Sequence, residues 1–154
     1  MDILSHALWG RGVFGYGGHK WLATFFGALP DLITFFPFML VRILKGQALG
    51  RPPIEKVPHW TRLLYSFSHS LVIAFLFVIV FWRIDSALAF AMLAWPLHIL
   101  VDFPFHTKAY FTVPIFWPIS NFRFSGIHWS TPVVWFSNLA LLIGLYLWRY
   151  LQSS

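Results

Sequence analysis

Histidine and aspartate recur inside strongly apolar stretches of this chain, and their spacing is the first chemistry it offers. His98 and Asp102, in Pro96-Leu-His-Ile-Leu-Val-Asp102, stand four residues apart. A helix turns both side chains the same way, toward one shared ion or toward each other in a hydrogen bond. His69, in Ser66-Phe-Ser-His-Ser70, is either a packed and hydrogen-bonded residue or a ligand. Asp31, in Gly27-Ala-Leu-Pro-Asp31, either caps a helix restarting after Pro30 or offers its carboxylate to a cation. The chain has only five acidic residues, so three in or beside His-containing apolar segments is a concentration. A charged side chain at the centre of a membrane span costs about 2.5–3.5 kcal/mol, which makes such residues functional candidates.

There is no cysteine, so disulfides, thiol nucleophiles and thiolate metal sites are excluded, and any metal must be held by nitrogen and oxygen. A His/Asp set of this kind suits zinc first, with manganese and iron as alternatives. Imidazoles and carboxylates that leave one position open describe a catalytic site. There the ion lowers the pKa of bound water and polarises a carbonyl or phosphoryl oxygen.

The elements that must position these groups are membrane helices. The 154 residues suffice for one compact unit, read as a single domain. They are 58% hydrophobic, 21% aromatic and 10% charged, too apolar for a soluble fold of this size to hide from water. We expect an all-α, polytopic membrane protein with about four membrane segments and an N-terminal helical hairpin. The segments are Trp21 to Leu44, interrupted by Pro30 and Pro37; Leu63 to Trp82; Ser86 to Val101, opened by the capping pair Asp85-Ser86; and Pro132 to Tyr150. Residues 2–9 read as a short helix, and the glycines at 10, 12, 15, 17 and 18 as a tight return that brings Asp2 and His6 toward Pro30-Asp31.

Lys+Arg 11 against Asp+Glu 5 gives a formal charge of +6, but the basic residues flank apolar segments, so membrane orientation explains them better than nucleic-acid binding. Residues 45–62, with Lys45, Arg51, Lys56 and Arg62, belong inside, as do residues 103–131 with Lys108 and Arg123; the 83–85 turn lies outside. The second loop, rich in proline and aromatics, is expected against the membrane surface. The N-terminus lacks the marks of a removable signal peptide. The tryptophans fit interfacial belts and packing.

On this topology His69 lies about 9 Å and His98 about 6 Å inside the inner surface. Asp31 matches that depth if Pro37 ends the first span, leaving it about 8–9 Å from that end, with 37–45 along the interface. His6 joins through the glycine hairpin. His106, four residues past Asp102, folds back as a further ligand or stays outside; His19, His59 and His128 sit in loops with an interfacial role. Arg123 either binds a phosphate or lipid head group or marks the inner surface.

At these residues the chain resembles the LexA-regulated inner-membrane family of metal-dependent hydrolases typified by YdjM. The resemblance covers most of the chain in order: His6, Leu29-Pro30-Asp31, Ser68-His69-Ser70, His98-Ile-Leu-Val-Asp102, then Val113-Pro-Ile-Phe-Trp117-Pro118 and Phe122-Arg123-Phe124. The His98/Asp102 pair is also similar to a helix of zinc-dependent phospholipase C. The resemblance implies a helical membrane protein, a divalent metal, and matched polar positions at His6, Asp31, His69, His98 and Asp102. The chain departs from the family at Ile33, where a second aspartate is usual, and at Leu64-Tyr65-Ser66, where the family has H-R-G.

Three functions follow, in order of preference. The first is a multi-pass, inner-membrane, metal-dependent hydrolase of an ester or phosphoester, lipid-derived substrates included, with the site near the cytoplasmic face. The second is a non-catalytic protein whose ion ties helices together. The third is a small ion or proton transporter, which the absence of a visible repeat disfavours.

Overall fold

The computed structural model describes residues 1–48, 50, 52–109 and 111–153. Among them there is no strand: the chain is all-helical, with three helices, or four if one bent pair is a single span, long and apolar enough to cross a bilayer. It is a multi-pass membrane protein. Helix α1 (Ile3–Phe14) turns back into α2 (Lys20–Leu44); α3 (His59–Ser68) and α4 (Leu71–Trp82) follow, then α5 (Ser86–Met92), α6 (Ala94–Asp102) and α7 (Pro132–Ser153). A single 3-10 turn follows α6, so Ser86–Phe105 forms one apolar rod of 20 residues.

The expected N-terminal hairpin is present, but its return lies later than the glycine cluster suggested. Gly10 and Gly12 are inside α1, and the turn begins at Gly15, with Gly18 at φ 94°. The buried glycines serve close approach instead. A Cβ on Gly10 would stand 2.4 Å from the Ala23 carbonyl oxygen, and one on Gly27 would stand 2.4 Å from that of His6. Without side chains at these points α1 and α2 meet backbone to backbone, as small residues allow in membrane helices.

Helix α2 also corrects an expectation. It runs unbroken through Pro30 and Pro37 to Leu44, so residues 37–45 do not peel away along the interface, and Asp31 lies about halfway along a membrane-length helix. Proline interrupts a helix in water more readily than in a packed membrane bundle, where neighbouring groups can satisfy the freed backbone. Thr34, one turn after Pro30, donates its hydroxyl to the Pro30 carbonyl at 3.1 Å.

The second segment is the one that breaks. Helices α3 and α4 are bent by 53° at His69-Ser70. The break is closed by its neighbours: the Trp95 indole donates to the Ser68 carbonyl (2.6 Å), Leu71 N–H to Ile115 (3.0 Å), and the Ser70 hydroxyl to the Trp117 carbonyl. Ser70 caps α4 by accepting from Ile73 N–H at 3.3 Å. These partners come partly from the 103–131 loop, which does more than lie on a membrane surface. Phe111, Val113 and Ile115 are buried, Val113 and Ile115 with Trp95 and Ile99, Phe111 with Phe38 and Tyr65.

The capping readings hold: Asp85 accepts from Ala87 and Leu88 N–H at 2.9 and 3.0 Å, and Pro132 opens α7. α7 is anchored to α1 by Trp9 to Asn138 (2.8 Å), Tyr146 to the Leu8 carbonyl (3.0 Å) and Arg149 to the Gly12 carbonyl (3.0 Å).

Candidate metal centre

Four side chains from three segments meet in the interior. Asp31 from the middle of α2, His69 from the α3–α4 break, and His98 and Asp102 from one face of α6 each offer a donor atom, all within 4.8 Å of one another, and all four residues are buried. His98 and Asp102 share a face because they are one helical turn apart, as their spacing indicates. Asp31 reaches the group without a span ending at Pro37.

The state of each imidazole follows from its other nitrogen. His98 Nδ1 lies 2.7 Å from the Gly27 carbonyl oxygen, which can only accept. Nδ1 therefore carries the proton, and in a neutral ring Nε2 presents a lone pair. That Nε2 faces Asp102 Oδ2 at 3.5 Å and has no hydrogen-bond partner.

His69 reaches the same state by a longer route. Its Nδ1 lies 2.9 Å from Ser68 Oγ, Ser68 Oγ lies 2.9 Å from Thr34 Oγ1, and Thr34 Oγ1 lies 3.1 Å from the Pro30 carbonyl oxygen. With Thr34 donating to Pro30, Ser68 donates to Thr34 or to the Tyr65 carbonyl, 3.4 Å away, and in both cases accepts from His69 Nδ1–H. His69 Nε2, also without a hydrogen-bond partner, points its lone pair at Asp31 Oδ1, 3.7 Å away.

Two lone pairs thus face two carboxylates in a buried space. With both rings neutral such an arrangement is repulsive, and either a shared proton or a metal cation between the groups relieves it. Donors bound at 2.0–2.1 Å in a tetrahedral shell are roughly 3.3–3.4 Å apart. The His98–Asp102 and His69–Asp31 separations of 3.5 and 3.7 Å are close to that and all four donors lie within 4.8 Å of one another, so the group could hold a divalent ion.

His6 stands against this group. Its Nε2 lies 2.8 Å from Asp102 Oδ1, and its ring stacks on His98 with centroids 3.6 Å apart. Burial pushes the His6 pKa down to about 4, so the neutral ring donates Nε2–H and holds Asp102 with Oδ2 turned toward His98. The terminal ammonium of Met1 also reaches Asp102 Oδ1. His6 therefore meets the four through Asp102, as an orienting partner of the kind that tunes metal ligands. His106 Nδ1 lies 3.1 Å from the Asp102 carbonyl oxygen and 3.6 Å from Oδ2; burial pushes its pKa down. His106 and Asp31 are both on the wall of a cavity of about 430 Å3.

Arg123 is elsewhere. It is exposed, and its guanidinium donates to the Thr112 carbonyl at 2.9 Å and faces Ser66 Oγ at 3.5 Å, tying the second loop to α3. His19 and His59 lie outside the group at the starts of α2 and α3, and His128 Nδ1 is 2.7 Å from Ser130 Oγ.

Sequence reasoning missed two of the residues that fix the tautomers, Gly27 and Thr34; Ser68, beside His69, was within its reach as a hydrogen-bonding neighbour. Thr34 carried a signal, since it lies one turn after Asp31 on the same helix face; the Gly27 carbonyl carried none. The two departures at Ile33 and Leu64 fall away from the group. Residue 33 is about 200° around the helix from residue 31, and Leu64 precedes the stacked pair Tyr65/His69 on another face of α3. Comparison with known proteins finds no matching family, no matching curated protein and no matching solved structure.

Proposed function

We propose that this chain binds one divalent ion through Asp31, His69, His98 and Asp102 and uses it to hydrolyse an ester or phosphoester at the membrane. The observation that carries the reading is the fixed tautomer of both histidines, which leaves two Nε2 lone pairs and two carboxylates facing each other. Zinc is the first choice, manganese or iron the next. A bound ion would supply an activated water and a Lewis acid for the carbonyl or phosphoryl oxygen.

The chain's own residues supply the rest. Asp31 is the member of the group on the cavity wall, so the reacting bond enters from that side. His106, on the same wall, donates Nδ1–H to the Asp102 carbonyl, which leaves Nε2 as a free base. We assign it to take the proton from water as the water oxygen bonds to the acyl or phosphoryl centre; the released alcohol takes a proton in turn.

The ordered motifs from His6 to Phe124 support membership of the YdjM-type family, which we include in the proposal. Ile33 and Leu64 lie off the faces forming the group, so the four donors meet without those two positions. We also propose the cytoplasmic membrane as location, with loops 45–62 and 103–131 on the inner side. Gly50 and Pro52 from the first and Thr107 and Trp129 from the second line one cavity, which supports placing both loops on one side.

A second reading has its own observation. Four protein donors fill a tetrahedral shell, which is the mark of a structural ion that ties helices together. Purified protein decides between them. Stoichiometric metal that disappears in His98→Ala and Asp102→Ala, together with hydrolysis of a generic phosphoester or lipid ester, supports the hydrolase. Metal without hydrolysis assigns the structural role, and a metal-free wild type overturns both.

A further inference from the structure

The cavity that ends at Asp31 has a second charged residue on its wall. Arg42 is 9% exposed, and its guanidinium donates to two backbone carbonyls, Gly50 at 2.7 Å and Ala48. Its Nε has no hydrogen-bond partner, and among the described residues no carboxylate pairs with it. The guanidinium is held by these carbonyls and by the face of Phe38, 5.6 Å from the ring centre, and leaving a buried cation without an anion is expensive. The other acid on this wall, Asp2, is engaged with the backbone N–H and hydroxyl of Ser5 at 2.9 and 2.7 Å.

The register of α2 sets the shape. Asp31, Phe35, Phe38 and Arg42 recur at helical spacing on one face, and all four line the cavity. A carboxylate of the metal group therefore stands at the inner end and a guanidinium at the outer end, about 16 Å along the helix axis. Between them the wall is apolar, built of Phe35, Phe38 and Met39 with Phe111 from the second loop. A cavity of about 430 Å3 is in the range that holds small ligands.

We propose that this cavity binds an anionic amphiphile, with its phosphate or carboxylate on Arg42, its apolar body along the phenylalanines, and its hydrolysable bond at the Asp31 end. This names the substrate class of the centre above and rests on that reading for the reaction, though not for the binding. Arg42, rather than Arg123, is the cation that selects the substrate.

The test uses full-length protein in phosphatidylcholine nanodiscs, with empty nanodiscs as the partition control. Calorimetry with n-octyl phosphate, n-octyltrimethylammonium and inorganic phosphate reads charge and chain separately. Saturable binding of octyl phosphate, at least tenfold tighter than either other probe, is expected. Arg42→Gln should weaken it about ten- to a hundredfold, the range for a hydrogen bond to a charged group, and Arg42→Lys should restore part of the loss. Equal binding of the cationic probe, equal binding of inorganic phosphate, or an undiminished affinity in Arg42→Gln overturns the proposal. The wild-type probe comparison stands even if Arg42→Gln does not fold. Failure of the metal reading shows separately, as a metal-free wild type whatever the probes do.

Discussion

Gly27→Ala tests whether helix contact builds the metal centre. Gly27 does two things there: its carbonyl fixes the His98 tautomer, and its missing side chain lets the His6 backbone approach. A Cβ at this position would stand 2.4 Å from the His6 carbonyl oxygen, and moving that contact to 3.0 Å requires α1 to retreat by about 0.6 Å. The same retreat lengthens the 2.8 Å bond from His6 to Asp102 to about 3.4 Å, beyond the usual N–H···O range. Overpacking of this kind costs about 1–3 kcal/mol, and loss of a ligand's orienting partner typically lowers metal affinity about 10–100-fold. Competition with a fluorescent chelator gives the affinity, and thermal unfolding in detergent gives the stability. Gly144→Ala is the control, since a Cβ there meets nothing within 4 Å; both quantities should stay at wild-type levels or rise slightly. A Gly27→Ala protein with wild-type metal affinity would refute the argument that the α1–α2 approach shapes the centre.

Further outcomes follow from the same geometry. Ser68→Ala removes the acceptor for His69 Nδ1–H, and metal affinity by chelator competition should fall about 10–100-fold; Thr34→Ala, one bond further out, should cost less. Trp95→Phe leaves the Ser68 carbonyl at the α3–α4 break without its 2.6 Å donor, and unfolding should show a loss of about 1–3 kcal/mol, with faster amide exchange near residues 66–71. Arg123→Ala should leave metal content unchanged and speed proteolysis of the 103–131 loop, because its guanidinium holds the loop to α3 and lies outside the four-residue group.

Much of this was legible in the sequence where one local rule governs. The His98/Asp102 pair needed only the helical repeat, and the caps at Asp85 and Pro132 needed only their residue types. The helical, membrane-spanning class followed from composition. The errors have a common cause in tertiary context. Pro37 breaks helices in isolation, yet α2 passes through it, as packed apolar bundles tolerate. Conversely, Ser66–Ser70 contains no proline or glycine, and the helix breaks there because Trp95, Ile115 and Trp117 supply partners from far along the chain. The glycines at 10 and 12 resembled a turn because single-sequence reasoning sees their freedom and not the helix pressed against them. Arg42 lies just before the basic 45–62 loop in sequence, and its place on the cavity wall depends on α2 continuing past Pro37.

The central claim is that Asp31, His69, His98 and Asp102 together hold one metal ion. X-ray absorption at the metal edge, on protein purified with its native metal and quantified per chain, tests it most directly. The account predicts one ion per chain, a nitrogen/oxygen shell near 2.0–2.1 Å, the outer-shell signature of two imidazoles, and loss of the ion in the His69→Ala/His98→Ala double variant. A folded wild type without stoichiometric metal, or an ion retained unchanged in that double variant, contradicts it.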